Sequence, residues 1–243
     1  MRFAVVQFGG SNCDRDVYHV LAEVCGVDTD LVWYKDGLAR SYDAVVLPGG
    51  FSYGDYLRAG AIAARNPIMA EIVRHAKDGG LVLGICNGAQ IGSEAGLVDG
   101  TFTLNAYPKF ISRHVYLRVE NTTSPFTALY REGEVIRVPI AHKEGRYVAP
   151  EDVIARLNCE GRVAFRFCDE HGNPTPESNP NGSTKNITGV LSEAGNVLAM
   201  MPHPERASEA VLGSVDGIKI FKSMMTYIEQ HGHRQMTHQE FLQ

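Results

Sequence analysis

Residues 3–8 form an almost unbroken apolar run that stops at Gly9-Gly10. Such a run marks a strand with both faces covered, as in a parallel sheet. Ser11, with Asp14 three residues on, has the form of a capping box, and Val17, Val20, Leu21 and Val24 give the following helix one apolar face. Gly26 is placed to end it. Short apolar runs recur at 31–34 and 44–47, the second leading into Pro48-Gly49-Gly50. A helix is predicted from Pro67 to Lys77, with Ile68, Ile72, Val73 and Ala76 on one side. Leu81-Val82-Leu83 then follow Gly79-Gly80 as another buried strand. Strands alternating with helices at this spacing predict a doubly wound, mostly parallel α/β sheet with helices on both faces. In such sheets functional groups gather beyond the carboxyl ends of the strands. Three of those ends are rich in glycine, at 9–10, 49–50 and 84–88.

The texture changes after about residue 105. Residues 114–120 alternate like a half-exposed strand, and further strands are predicted at 135–140, 163–168, 187–191 and 197–201. Glu193-Ala194-Gly195-Asn196 has hairpin-turn composition, so these additions are expected to be antiparallel. Residues 170–185, rich in Pro, Asn, Gly and Ser, are expected to be a long loop. A last helix over 217–230 would turn Ile218, Phe221, Met225 and Ile228 inward, with the His- and Gln-rich tail frayed. Neither a repeat nor a linker divides the chain, which predicts a single domain over 1–243.

Composition narrows the function classes. The chain has 243 residues, 44% of them hydrophobic and 21% charged, as in an ordinary soluble globular protein with ample length for a core. A net charge of -5 gives nucleic acid or an anionic membrane nothing to hold. Five cysteines at 13, 25, 86, 159 and 168, with no Cys-x-x-Cys, fit a reducing cytoplasm rather than a disulfide framework or zinc knuckle. The opening residues are too soon broken by glycine for a signal peptide, and no run reaches membrane-span length. Nucleotide-binding loop fingerprints are missing, and no His-x-x-x-His or carboxylate cluster marks a metal.

The candidate chemistry starts from Gly84-Ile85-Cys86-Asn87-Gly88, the glycine-flanked pattern of a nucleophile at a sharp strand-to-helix turn. The glycines are expected to relieve crowding around a strained residue. The helix predicted over 89–95 would set its positive end near Cys86 and favour the thiolate. The alternative is a small buried structural cysteine. A cysteine nucleophile needs a base, and an acid to orient that base. Among nine histidines, His203 stands apart in Met201-Pro202-His203-Pro204-Glu205-Arg206, straight after an apolar strand. The prolines hold extended backbone, and Glu205 could reach back to the imidazole. Otherwise this is a surface loop with incidental charges. Gly49-Gly50-Phe51 could present one backbone N–H group to an oxyanion and Asn87 another, the alternative being an ordinary βα turn. Cys13, also between strand and helix, is a rival nucleophile but lacks a following glycine. The aromatic stretch Phe51-Ser52-Tyr53-Gly54-Asp55-Tyr56 is expected to be a lid or contact surface.

Together these segments resemble the class I (triad type) glutamine amidotransferases. Pro139-Ile140-Ala141-His142-Lys143-Glu144-Gly145-Arg146 and Asn179-Pro180-Asn181-Gly182-Ser183 add to the likeness, which covers most of the chain. Ala89, Gly92 and Lys143 depart from the family's commoner residues. The resemblance implies a flavodoxin-like fold and a Cys86, His203, Glu205 triad that splits the side-chain amide of glutamine. It also implies that Gly50 and Asn87 hold the oxyanion, that Gln90 helps seat the substrate, and that the 142–146 loop lies near the site or the partner interface. This chain would bind no cofactor. ATP and Mg²⁺ would belong to a partner synthetase subunit that consumes the ammonia, with a small bridging subunit. Residues 51–56 and 170–185 would be docking surfaces. Another cysteine hydrolase on a similar sheet, or a non-catalytic docking subunit, are the alternatives.

Overall fold

The computed structural model describes residues 1–240, with side chains described as far as residue 231. In chain order its elements are β1 (Arg2–Gln7), α1 (Asp14–Tyr18), β2 (Asp28–Trp33), β3 (Ala44–Leu47), α2 (Pro67–Lys77), β4 (Leu81–Ile85) and α3 (Asn87–Glu94). Then come β5 (Thr101–Thr103), β6 (Ile111–Val119), β7 (Val135–His142), β8 (Arg146–Val148) and α4 (Glu151–Cys159). The chain continues with β9 (Val163–Cys168), β10 (Ile187–Leu191), β11 (Val197–Met200) and α5 (Ile218–Glu240).

One nine-stranded sheet, ordered β2-β1-β3-β4-β11-β10-β9-β6-β7, organises the molecule. From β2 to β11 every neighbouring pair is parallel, and from β11 to β7 every pair is antiparallel. The patterning explains the order. The inner strands β3, β4, β9, β10 and β11 are buried at every position. The outer strand β7 alternates, with Ile136, Val138, Ile140 and His142 turned inward. Helices α1, α2 and α3 pack against the parallel half. A separate antiparallel pair joins β5 and β8.

Several sequence expectations are corrected. Ser11 caps no helix: its Oγ accepts the Phe8 N–H at 3.0 Å, and no side chain caps α1. Asp14 instead accepts from the Gln7 amide. The helix continues with wider π-type winding over His19–Val24. Helix α3 starts at Asn87, directly after Cys86. On α2, Met69 is buried and Val73 only half-buried. On α5 the buried apolar positions among the described residues are Ile220, Phe221 and Met224, while Ile218, Met225 and Ile228 are half-buried. Strands β5 and β8 and helix α4 were not foreseen. Helix α5 runs past residue 230 to Glu240, but the side chains of the tail expected to fray lie outside the described residues. Among the described residues no helix is long and apolar enough to cross a membrane.

Candidate active site

Strands β4 and β11 are parallel neighbours with Ile85 opposite Met200, so Cys86 and Met201 leave the sheet side by side. The Cys86 N–H donates to the Met200 carbonyl at 2.8 Å. His203 follows a few residues later, and its N–H donates to the Pro139 carbonyl of β7 at 2.8 Å. Cys86 itself carries the strain of the turn, with φ 50° and ψ −107°, a region that side chains other than glycine rarely occupy. The flanking glycines serve packing rather than strain. A Cβ on Gly88 would sit 1.9 Å from the Leu47 carbonyl oxygen, and one on Gly84 would sit 2.8 Å from the Gly88 oxygen. Both must be bare for α3 to settle onto β3 and β4.

His203 and Glu205 are 2% and 1% exposed, and His203 Nδ1 lies 2.6 Å from Glu205 Oε1. A carboxylate there accepts, so Nδ1 donates to it, and Nε2 makes no hydrogen bond to a protein atom. Cys86 Sγ is directed at the Ala141 carbonyl, 3.7 Å away. Burial pulls the imidazole's pKa down. The Glu205 carboxylate overrides it, helped by the sulfurs of Cys86 and Cys13, and holds the ring well above the usual histidine value.

Cys13 packs beside His203. A Cβ on Gly49 would stand 2.7 Å from His203 Cε1 and 2.9 Å from Cys13 Sγ. Arg206 Nη2 donates to that sulfur at 3.1 Å, and the thiol donates to Asn12 Oδ1 at 3.2 Å. Burial pushes the Cys13 thiol up more than His203 draws it down. Cys13 is 2% exposed and does not line the cavity that Cys86 opens into. The sequence identified it only as a rival nucleophile, and its contact with His203 was not legible there. Cys13 Sγ, a His203 ring nitrogen and a Glu205 oxygen lie within 4.8 Å of one another, a spacing that could hold a metal ion. The cation already beside them is the Arg206 guanidinium, and the His203–Glu205 pair occupies two of the three ligand positions.

The backbone N–H groups of Gly50 and Asn87 donate to no protein acceptor among the described residues, whereas that of Phe51 is taken by the Gly10 carbonyl. Asn87 Oδ1 accepts the Ser52 N–H at 3.1 Å, and its Nδ2 donates to Gln90 Oε1 at 3.0 Å. Gln90 Nε2 donates in turn to the Glu144 carbonyl, so Gln90 ties α3 to the 142–146 loop. A cavity of about 400 Å³ opens over Cys86, lined by Gly50, Asp55, Gln90, His142 and Glu144 among others. A thiol, a protonatable ring held by a carboxylate and two unengaged N–H groups suit acyl transfer through a covalent thioester.

A family model described as a CobB/CobQ-like glutamine amidotransferase domain matches residues 1–228. The chain is 55% identical over 231 residues to the phosphoribosylformylglycinamidine synthase subunit PurQ of Methanosarcina acetivorans, covering 95% of this chain and 100% of that one. It is 50% identical over 230 residues to the subunit of the same name from Methanocaldococcus jannaschii, again covering 95% and 100%. Among solved structures, PurLQS from Thermotoga maritima contains a chain that matches at a TM-score of 0.83 and 46% identity, covering 93% of this chain and 98% of that one. A glutamine amidotransferase from Thermotoga maritima matches at a TM-score of 0.53 and 15% identity, covering 98% of this chain and 85% of that one, which is a likeness of fold alone.

Proposed function

The chain belongs to the CobB/CobQ-like glutamine amidotransferase domain family, and on that premise we propose that it is the glutaminase subunit of a phosphoribosylformylglycinamidine synthase. It hydrolyses glutamine to glutamate and ammonia for purine biosynthesis. The Cys86 thiol gives its proton to His203 Nε2 and attacks the side-chain amide carbon. The tetrahedral oxyanion is held by the N–H groups of Gly50 and Asn87. His203 hands the proton to the departing nitrogen, ammonia leaves, and a glutamyl thioester remains. His203 then draws a proton from water, whose attack releases glutamate and restores the thiol. Glu205 keeps the imidazole in the tautomer this sequence requires.

The observation that carries this reading is the buried His203–Glu205 pair, 2.6 Å apart, leaving the sheet beside the strained Cys86. The ammonia passes to a synthetase subunit that holds ATP and Mg²⁺ and converts formylglycinamide ribonucleotide to formylglycinamidine ribonucleotide, with a small bridging subunit completing the assembly. This chain works as one domain, in the cytoplasm, and needs no cofactor of its own. Phe51, Tyr56, Leu57, Tyr107 and Phe110 are exposed, an apolar set that fits a docking face. Glutamate release from glutamine is the deciding measurement. It is expected to vanish in Cys86→Ala and to rise when the purified synthetase subunit is added. Equal turnover with and without the synthetase would count against the half-enzyme reading, and turnover retained in Cys86→Ala would end the thioester mechanism.

A further inference from the structure

Two side-chain polar atoms on residues lining the Cys86 cavity are buried without a protein partner: Asp55 Oδ1 and His142 Nδ1. One is an acceptor and the other a donor, and the surrounding structure fixes each in that role.

Asp55 sits in a loop held against its own preferences. Tyr53, Asp55 and Leu57 have φ of 55°, 56° and 69°, a left-handed run that costs roughly 1–3 kcal/mol per residue unless the surroundings enforce it. The enforcement is visible. The Tyr53 N–H donates to the Gly9 carbonyl at 2.7 Å, its hydroxyl accepts from Asn66 at 3.1 Å, and the Ala59 N–H donates to Glu144 Oε2 at 3.2 Å. Burial, and then the charge of Glu144, push the Asp55 carboxyl up to about 6, the mark of a carboxylate lacking a cation.

His142 is 3% exposed and, through burial and then the charge of His203, is pushed down to about 3, so its ring is neutral. Its tautomer is set by Asn181. The Asn181 Oδ1 is taken by the Ser183 N–H at 3.0 Å and hydroxyl at 2.7 Å. Its amide nitrogen donates to the Gly145 carbonyl at 2.7 Å and faces His142 Nε2 at 3.1 Å. Nε2 therefore accepts, and Nδ1 carries the hydrogen that nothing in the protein receives. A Cβ on Gly145 would lie 2.1 Å from the ring, so the loop closes over His142 only with glycine there.

Free glutamine carries an ammonium and a carboxylate on one carbon, and the cavity offers one unsatisfied acceptor and one unsatisfied donor. We propose that Asp55 and His142 clamp the head group of free glutamine, Asp55 Oδ1 taking the α-ammonium and His142 Nδ1–H the α-carboxylate. The inference rests on the glutaminase reading of the site and extends it to substrate choice. An amide without the ammonium leaves Asp55 Oδ1 buried with no counter-charge to offset Glu144, and is rejected for that reason.

The test is alkylation of Cys86 in the full chain assembled with the synthetase subunit of its own organism, read at the Cys86 peptide because Cys159 is exposed. The reagents are the diazoketone analogue of L-glutamine, which keeps both head groups, and iodoacetamide, which has neither. Asp55→Asn and His142→Gln are each expected to weaken the apparent affinity for the diazoketone by about tenfold or more, with iodoacetamide rates unchanged. His142→Asn, whose amide nitrogen falls near the Nδ1 position, should keep part of the affinity. Unchanged diazoketone affinity in both Asp55→Asn and His142→Gln overturns the clamp. An equal slowing with both reagents also overturns it, since these residues would then hold the loop rather than the substrate. If the diazoketone leaves Cys86 of the unaltered chain untouched, the glutaminase reading itself fails and takes the clamp with it.

Discussion

At the scale of single residues, the proposed chemistry turns on which imidazole nitrogen carries a proton. Glu205 Oε1, 2.6 Å from His203 Nδ1, accepts from it, which in the mechanism proposed above leaves Nε2 to exchange a proton with Cys86. An amide in place of that carboxylate can donate to Nδ1 and put the hydrogen on Nε2, where it blocks proton transfer. Glu205→Gln is therefore expected to lower kcat by on the order of a thousandfold, with little change in KM, as initial-rate measurements would show. The residues of this set were legible from local signs: two glycines around Cys86, two prolines around His203. Asp55 and Asn181 were not, although the segments holding them stood out. Their importance lies in an oxygen left without a partner and in an amide orientation set by Ser183, and both arise only when distant segments meet. The helix cap expected of Ser11, just before Cys13, is absent, since Ser11 bonds back to Phe8.

At the scale of elements, periodicity gave the nine strands of the main sheet and most of the helices, and close approach decided the rest. Helix α3 lies so near β3 that a methyl on Gly88 would meet the Leu47 carbonyl at 1.9 Å, a backbone atom that cannot move aside alone. Gly88→Ala should therefore cost about 3 kcal/mol or more in urea unfolding, despite alanine's better helix propensity. A milder loss would mean that α3 can lift from the sheet. The pattern was least informative for short pieces. Strands β5 and β8 have three residues each, and α4 buries only Ile154 and Leu157, too few positions to establish a period. The most consequential shortfall was two residues long. Ending β7 at Ile140 left His142 in a loop, whereas carrying the same alternation through Ala141 turns its ring inward.

At the scale of the whole molecule, the two halves of the sheet build one site. The parallel half supplies Cys86 and His203, while the antiparallel half returns through β7 to set Ala141, His142 and the Pro139 carbonyl against them. Closing the site this way buries a neutral histidine, and stability should depend on pH as a result. Folding lowers the His142 pKa from the ordinary 6.5 to about 3. Between those values the unfolded chain binds the proton and the folded chain does not, so acid favours unfolding. The contribution is fully present above the unfolded value and is lost as pH falls toward the folded one. At about pH 5 the loss from this group alone amounts to about 2 kcal/mol relative to pH 7. His203 works in the opposite direction, since its folded value is raised, but it does so equally in a chain that differs only at position 142. Urea unfolding of the unaltered chain and of His142→Gln at both pH values separates the two effects. The unaltered chain should lose about 2 kcal/mol more on acidification than the variant, whatever packing energy the substitution costs at pH 7. Parallel losses would mean that His142 is protonated without unfolding, and hence that the antiparallel half opens from the site while the sheet stays folded.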